Sequence, residues 1–299
     1  MDLSEHHPFR SAEAKAKFLA SYDSIEKRWP VAWESRMVDT SYGQTYVRIS
    51  GPEAAPLLVL LHGAYVTSLS WAPHIEALSQ HYRTFAVDNI YDYGRSVYAQ
   101  RLTNPGDFVT WLDELFNALA LGSDINLMGL SYGGWLTSLY ATRYPNRLAK
   151  VIIIAPGATV LPVSLKTMLR SALITLPPRY FARSFFSWMF ADSLKNTEIG
   201  PAPVEEITDG VRLSIKSFKP MRVVMPTVLK DEELQSFKTP ALFLVGENEK
   251  LYSAHKAVQR LNKLAPQIKT EILPNAGHDL TLIHTELVNR RVLEFLNQS

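Results

Sequence analysis

A serine flanked by two glycines stands between an apolar run and a helical pattern near the middle of this 299-residue sequence. Ser131 lies in Gly129-Leu130-Ser131-Tyr132-Gly133, shortly after the apolar run Ile125 to Met128 begins. A sharp strand-to-helix turn can present a serine as a nucleophile, and its strained backbone requires small residues two positions before and after. The pattern therefore predicts a nucleophile elbow, with an ordinary glycine-rich turn as the alternative.

A serine hydroxyl needs a base that removes its proton, and histidine is the usual one. Catalytic groups of open α/β sheets collect beyond the carboxyl ends of the strands. His278 has such a position, because it follows the run Thr270 to Leu273 in a loop that leads into a helix. His62 also follows a strand, but it precedes the serine in the loop expected to form the oxyanion hole. We interpret His278 as the base and His62 as a residue that organises its loop by hydrogen bonding.

The base in turn needs a carboxylate that orients it. The segment after the predicted strand Val151 to Ala155 contains no acid. The next strand, Ala241 to Val245, is followed by Gly-Glu-Asn-Glu, which offers Glu247 and Glu249. Glu249 is preferred because the turn at a strand end usually delivers the acid about three residues on, and Glu247 is the alternative. Serine, glutamate and histidine then occur in the order that this kind of site requires.

Stabilisation of a negatively charged oxygen is the third requirement, since one missing donor costs about 3 kcal/mol. Two backbone N–H groups are candidates: that of Tyr132, directly after the nucleophile, and that of Ala64, in the loop that begins with His62 and Gly63. Asp88 ends a predicted strand, and we interpret it as an acid that fixes a loop near the cleft.

Buried apolar runs alternate with helical patterns along most of the chain. The predicted strands are 57–61, 84–87, 125–128, 151–155, 241–245 and 270–273, and the helices between and after them are 68–80, 107–121, 135–144, 253–264 and 282–296. This alternation predicts an α/β protein with a mostly parallel sheet and helices on both faces. A helix over 11–28 and an antiparallel hairpin of 34–39 with 44–49 precede it.

Residues 157–238 interrupt the alternation with several prolines and short helical patterns. We predict a helical cap over this range, inserted into a core of residues 1–156 and 239–299 that carries an N-terminal helical arm at about 11–30. The large apolar side chains of the cap either pack within the protein or line an acyl pocket, and packing is preferred for any single one. These side chains are Phe181, Phe185, Phe186, Trp188, Met189, Phe190, Met221 and Met225.

Composition excludes several classes of function. The 31 basic and 29 acidic residues are scattered and give a formal charge of +2, so binding to nucleic acid or to an anionic membrane is not predicted. The absence of cysteine excludes disulfides, thiolate metal sites and a cysteine nucleophile. No phosphate-binding loop, dinucleotide fingerprint or metal motif occurs, and we expect no cofactor and no metal.

No targeting or membrane segment is predicted. Residues 1–10 are polar where a signal peptide needs an apolar core. No stretch reaches the roughly 20 apolar residues of a membrane span. We therefore expect a cytoplasmic protein, and the sequence leaves its oligomeric state open.

Several stretches carry a likeness to a known family. They include Leu58-Val59-Leu60-Leu61-His62-Gly63-Ala64, Gly129-Leu130-Ser131, Leu244-Val245-Gly246-Glu247 and Asn275-Ala276-Gly277-His278. On these residues the chain resembles the α/β-hydrolases, and within them the naproxen esterase branch of the bacterial carboxylesterases. The resemblance is weakest in the cap, and the usual Asp-x-x-Gly-x-Gly-x-Ser loop is replaced by residues 88–96 with only Gly94 retained. It implies a catalytic triad of Ser131, Glu249 and His278.

The leading hypothesis is a serine carboxylic-ester hydrolase that acts through an acyl-enzyme on small to medium apolar esters. One alternative keeps the triad and cleaves another bond, namely a lactone, a thioester, an amide or a carbon–carbon bond. Another is a non-catalytic protein of the same fold that binds a small ligand. An epoxide hydrolase or dehalogenase is disfavoured, because position 131 would then have to be aspartate.

Overall fold

A computed structural model describes residues 4–176, 178–195 and 200–298 of the chain. The nine strands in this part of the chain form one large sheet. Its strands are β1 (Trp33–Thr40), β2 (Gly43–Ser50), β3 (Leu57–Leu61), β4 (Arg83–Val87), β5 (Val97–Tyr98), β6 (Ile125–Leu130), β7 (Leu148–Ile154), β8 (Ala241–Gly246) and β9 (Ile268–Leu273). They lie in the order β1-β2-β4-β3-β6-β7-β8-β9, and β5 pairs with β2. All pairs that involve β2 are antiparallel, and the others are parallel. The predicted hairpin and mostly parallel sheet are confirmed.

Helices connect the strands. They are α1 (Ala12–Glu26), α2 (Ala72–Ser79), α3 (Pro105–Ala118), α4 (Tyr132–Arg143), α5 (Leu165–Ala172), α6 (Arg179–Met189), α7 (Ala191–Lys195), α8 (Ala202–Ser217), α9 (Asp231–Gln235), α10 (Ala254–Leu264), α11 (Leu280–Ile283) and α12 (Thr285–Leu296). Short 3-10 turns occupy Ser68–Trp71 and Pro145–Arg147. The helix predicted over 282–296 is interrupted at His284, between α11 and α12.

Alternate residues of the central strands enter two different cores. In β3, Val59 and Leu61 belong to a cluster that includes apolar residues of α3, α4 and α10, whereas Leu58 and Leu60 belong to one that includes residues of α1, α2 and α12. Side chains alternate between the faces of a strand, so this division means that both faces of the sheet are covered. The helices on both faces were predicted from the unbroken apolar runs, and this is confirmed.

The helices α5 to α9 lie between β7 and β8 in sequence, and none of their residues joins the sheet. Within this segment α6 and α8 pack against each other. An isolated bridge between Thr159 and Val228 joins the beginning and the end of this segment, and another between Phe9 and Phe218 links it to the residues that precede α1. Its description as a separate cap remains our interpretation.

The helix α1 is anchored to the body by a buried cation. Arg48, in β2, is fully buried, and its Nη2 donates to Glu26 Oε1 at 2.6 Å and to Tyr22 Oη at 3.2 Å. Its guanidinium also stacks over the ring of Trp29 at 4.7 Å. Because a buried charge is tolerated only when it is paired, this contact fixes where α1 lies on the sheet.

Candidate active site

Ser131 occupies the tight turn between β6 and α4. Its backbone angles, φ 55° and ψ −112°, lie in a region that residues with side chains rarely adopt. A Cβ atom at Gly129 would lie 2.1 Å from the carbonyl oxygen of Gly133, and one at Gly133 would lie 2.1 Å from that of Leu61. Close packing of the backbone therefore requires the two glycines, and the turn has the geometry of a nucleophile elbow.

The histidine and glutamate candidates meet at this serine. His278 lies in the loop after β9, where its Nε2 accepts a hydrogen bond from Ser131 Oγ at 2.9 Å and its Nδ1 donates to Glu249 Oε2 at 2.9 Å. The other oxygen of Glu249 accepts the backbone N–H groups of Lys250 and Leu251 at 2.7 and 2.9 Å. Three residues from three strand ends thus form one hydrogen-bonded chain. Such a chain can remove the proton of the serine and stabilise the imidazolium that results.

Two opposing effects act on the pKa of His278. Burial lowers it, but the charge of Glu249 and the hydrogen bond to Glu249 raise it, with a further contribution from the charge of Asp279. The raising effects prevail, so the pKa lies above its ordinary value of 6.5. The site therefore stabilises a protonated imidazole, which is the state that follows proton transfer from a nucleophile.

Glu247 has a different position from Glu249. Its Oε2 accepts the backbone N–H of Asn275 at 3.2 Å, at the exposed edge of the loop that carries His278. It therefore supports this loop from outside. Among the described residues, the carboxylate that contacts the histidine is that of Glu249.

Two residues whose backbone N–H groups have no acceptor among the described residues lie beside the serine. Ala64 and Tyr132 both line the cavity, and no other described residue accepts a hydrogen bond from either backbone N–H. Tyr132 is the first residue of α4, and the N–H groups of a first helical turn have no partner inside the helix. A Cβ atom at Gly63 would lie 3.3 Å from that of Ser131, so this loop passes directly beside the serine. The two groups can serve as donors to an oxyanion.

His62 connects two loops rather than contacting the serine. Its Nδ1 donates to the carbonyl oxygen of Gly63 at 2.7 Å, and its Nε2 accepts the backbone N–H of Asn89 at 2.9 Å. Burial lowers the pKa of His62, although the charge of Asp88 and the bond to Gly63 act in the opposite direction. The neutral imidazole uses both ring nitrogens in these bonds. These are the contacts of a residue that organises its loop, and Asn89 is a partner that the sequence did not indicate.

Asp88 holds three parts of the chain together. Its Oδ1 accepts the backbone N–H of Ser68 at 2.8 Å, and its Oδ2 accepts the N–H of Arg95 at 2.8 Å and the hydroxyl of Tyr22 at 3.0 Å. A Cβ atom at Gly94 would approach Asp88 Oδ2 to 2.6 Å. Only glycine fits there, which explains why this position is retained although the surrounding loop differs from the usual pattern.

A cavity of about 570 Å³ opens beside Ser131 and His278. Five of the eight large apolar side chains of the predicted cap line it, namely Phe185, Phe186, Met189, Phe190 and Met225. Phe185, Phe186 and Met189 are also buried members of the hydrophobic core, so these three both pack within the protein and line the cavity. The helix α1 lines another part of the wall with Phe18, Tyr22 and Ile25. The sequence did not predict this contribution, because the spacing of apolar residues gives the inner face of a helix but not what that face covers.

The described residues contain no cluster of three or more His, Cys, Asp or Glu side chains that could hold a metal ion. In the same part of the chain, no helix combines the length and the apolar character that crossing a bilayer requires.

The chain belongs to the alpha/beta hydrolase family, whose sequence profile matches residues 58–291. The mostly parallel sheet between two layers of helices agrees with this membership, and the fold class predicted from the sequence is confirmed.

Relatives similar over nearly the whole chain include carboxylesterases. Carboxylesterase YbfK of Bacillus subtilis (strain 168) is 34% identical over 296 residues, which cover 98% of each chain. The crystal structure of naproxen esterase (carboxylesterase NP) from Bacillus subtilis superposes with a TM-score of 0.87 at 32% identity, over 96% of this chain and 100% of that one. The crystal structure of carboxylesterase CesB (YbfK) from the same species gives a TM-score of 0.86 at 34% identity, over 96% and 99%. The resemblance inferred from the motifs is thereby confirmed.

Proposed function

We propose that the chain is a serine carboxylesterase in which Ser131 is the nucleophile, His278 the base and Glu249 the acid that orients the base. The observation that carries this proposal is the pair of 2.9 Å hydrogen bonds on the two sides of His278, at the wall of the cavity. Carboxylesterases about one third identical over nearly the whole chain support the ester as the bond that is cleaved.

In the first half of the reaction, Ser131 Oγ attacks the ester carbonyl while His278 Nε2 accepts its proton. The negative oxygen of the tetrahedral intermediate accepts hydrogen bonds from the N–H groups of Ala64 and Tyr132. Each of these donors contributes about 3 kcal/mol to the stability of the transition state. When the intermediate collapses, the imidazolium gives its proton to the departing alcohol, and an acyl group remains on the serine.

In the second half, His278 removes a proton from a water molecule that attacks the acyl-enzyme. The oxyanion forms again at the same two N–H groups, and the proton returns from the imidazolium to Ser131 as the carboxylic acid leaves. Glu249 remains a carboxylate throughout and holds the ring so that Nε2 faces the serine.

The substrates we propose are small to medium apolar esters. The cavity volume of about 570 Å³ lies within the range usual for small-molecule sites, and apolar side chains dominate its wall.

We further propose that residues 157–238 act as a cap that sets the acyl and alcohol preferences, above a core of 1–156 and 239–299. The absence of cysteine suits a reducing compartment, and the cytoplasm is the location we propose.

The test is hydrolysis of p-nitrophenyl acetate and butyrate by Ser131→Ala. We expect kcat/KM to fall by at least about 10⁴-fold, because the nucleophile is lost while the binding site remains. Covalent labelling by an alkyl phosphonate should occur at Ser131 in the wild type and be lost in the variant. Ser123→Ala, at an exposed loop serine, is the matched control and should retain full activity. Undiminished hydrolysis by Ser131→Ala would refute the assignment, and a wild type inactive on every ester would favour the ligand-binding alternative.

A further inference from the structure

The helix α5 turns its apolar side chains toward solvent. Leu165 and Leu169 are 69% and 62% exposed, and Met168 is 44% exposed. On the opposite side of the helix, Thr167 and Ser171 line the cavity. A surface helix normally buries its apolar face and exposes its polar one, and α5 does the reverse.

The exposed apolar residues continue past the end of α5. The α5 face, as we name it, consists of Leu165, Met168, Leu169, Leu173 and Leu176. The spacings of three and four place Leu165, Met168 and Leu169 in one stripe on α5, and Leu173 and Leu176 lie exposed in the turns that follow the helix. A single exposed leucine needs no explanation, but five large exposed apolar residues in one short segment indicate a surface that contacts something else.

The charged side chains of α5 itself are all positive. The sequence contains no Asp or Glu between Asp124 and Asp192. Lys166 and Arg170 lie on α5 beside the stripe, with Lys166 Nζ at 5.4 Å and the Arg170 guanidinium at 4.9 Å from the ring of Trp188. No carboxylate of the described residues forms an ion pair with either cation. The nearly balanced charge of the whole chain therefore conceals a local excess.

We propose that the α5 face docks on an anionic lipid surface, with the leucines inserted at the level of the acyl chains and Lys166 and Arg170 among the headgroups. Shallow insertion of an apolar helix face flanked by basic residues is how amphipathic helices bind such surfaces, and it needs no spanning segment. A second copy of the chain is a poorer partner. A symmetric contact through this face would bring both pairs of cations together without an acid between them.

Docking of the α5 face would also fix where the cavity lies relative to the lipid. Because Thr167 and Ser171 line the cavity from the same helix, docking would hold the cavity directly above the lipid surface. An apolar ester dissolved in the bilayer would then have a short path to the site. This consequence rests on the proposed function, whereas the docking itself does not.

The experiment is co-sedimentation of the full chain with vesicles made of equal parts of phosphatidylcholine and phosphatidylglycerol. We expect binding that is lost on vesicles of phosphatidylcholine alone and weakened by salt at about 0.5 M. The double variant Leu165→Ser, Leu169→Ser should bind at least about 10-fold more weakly, because both side chains leave the lipid. Lys166→Gln with Arg170→Gln should lower the affinity by about 30-fold.

The matched control is Met37→Ser, which removes a 44% exposed apolar side chain from β1. Its vesicle binding should equal that of the wild type. All variants should hydrolyse soluble p-nitrophenyl acetate at the wild-type rate, since the altered side chains lie outside the cavity. Hydrolysis and vesicle binding are separate measurements, so failure of one leaves the other interpretable. Absence of vesicle binding would refute the proposal. It would also be refuted if sedimentation velocity detected a dimer of the wild type that vesicles do not dissociate and that is lost in the double leucine variant.

Discussion

At the scale of the residue, each member of the proposed triad is fixed by a contact on its far side. Glu249 is held by two backbone N–H groups, and it holds His278 through Nδ1. Ser131 is held by the elbow, where its N–H donates to the carbonyl oxygen of Ile154 at 2.9 Å. The geometry therefore exists before any substrate binds, which is the condition for catalysis by preorganised groups.

The pH dependence of the wild type follows from the raised pKa of His278. The histidine must be neutral to accept the proton of the serine, so kcat/KM should increase with pH through the pKa of the free enzyme. Because Glu249 raises this pKa above 6.5, the rise of kcat/KM on the acid side of the pH profile should have its midpoint above pH 6.5. In Glu249→Gln the negative charge that raises the pKa of His278 is absent, while burial still lowers that pKa. The midpoint of the rise in kcat/KM should therefore move to lower pH. The plateau of kcat/KM for p-nitrophenyl acetate should also fall by about 10²-fold or more.

Glu247→Gln is the matched control, since the Glu247 carboxylate accepts a backbone N–H from the loop that carries His278, whereas the histidine itself is bound by Glu249. The acid-side midpoint of its pH profile of kcat/KM should equal that of the wild type. If the midpoint moved in Glu247→Gln and stayed unchanged in Glu249→Gln, Glu247 and not Glu249 would be the acid that orients His278.

At the scale of the element, the elbow depends on how closely α4 packs against the sheet. Helices usually avoid glycine, yet α4 contains Gly133 and Gly134 in its first turn. Gly133 lies against the carbonyl oxygens of Leu61 and His62, so the contact with β3 leaves no room for a side chain. Tertiary packing thus overrides local helix propensity here.

Gly133→Ala should therefore destabilise the protein. The added methyl group would overlap backbone atoms that cannot move independently, and we expect a loss of about 3 kcal/mol or more in the free energy of unfolding by urea. The matched control is Gly210→Ala in α8, where a Cβ atom meets nothing within 4 Å. That change should be neutral or stabilise by up to about 1 kcal/mol. Equal stabilities of the two variants would contradict the packing argument.

The elements were predictable from the sequence where one strong pattern decided them. Ser131, Glu249 and His278 follow the ends of β6, β8 and β9. The end of such a strand can be recognised in the sequence, because an apolar run stops there and a turn begins. The start of α4 was predicted three residues late, at Trp135, because glycines weaken a helical pattern. The strand β5 has only two residues, too few to show any period.

At the scale of the whole molecule, the cavity is built by parts of the chain that are far apart in sequence. The body contributes the loops around Ser131, the segment 157–238 contributes apolar residues of α6 and α8, and α1 contributes one wall. Which apolar residues of a helix face a cavity depends on how separate elements pack, and periodicity does not contain this information. For this reason the triad could be proposed from the sequence, but the lining of its cavity could not.

The wall formed by α1 should select substrates by size. Ile25 lines the cavity from α1 and makes none of the hydrogen bonds of the triad, and a tryptophan there would fill part of the cavity. In Ile25→Trp, kcat/KM for p-nitrophenyl octanoate should therefore fall by about 10-fold or more, while the value for the acetate should change less than about threefold. Ile25→Leu preserves the side-chain volume and should leave both values near those of the wild type. A uniform loss across the ester series in Ile25→Trp would show that α1 does not shape the part of the cavity that holds the longer chain.

The anchoring of α1 also has a consequence for how this enzyme could be engineered. A shortened protein that began after α1 would keep every strand and all three triad side chains. Arg48 would however lose Glu26 and Tyr22 and keep only the hydroxyl of Ser68 among these hydrogen-bond partners, so a buried cation would remain without its carboxylate. Trimming the amino terminus to admit bulkier esters would therefore destabilise the fold, unless position 48 were made neutral at the same time.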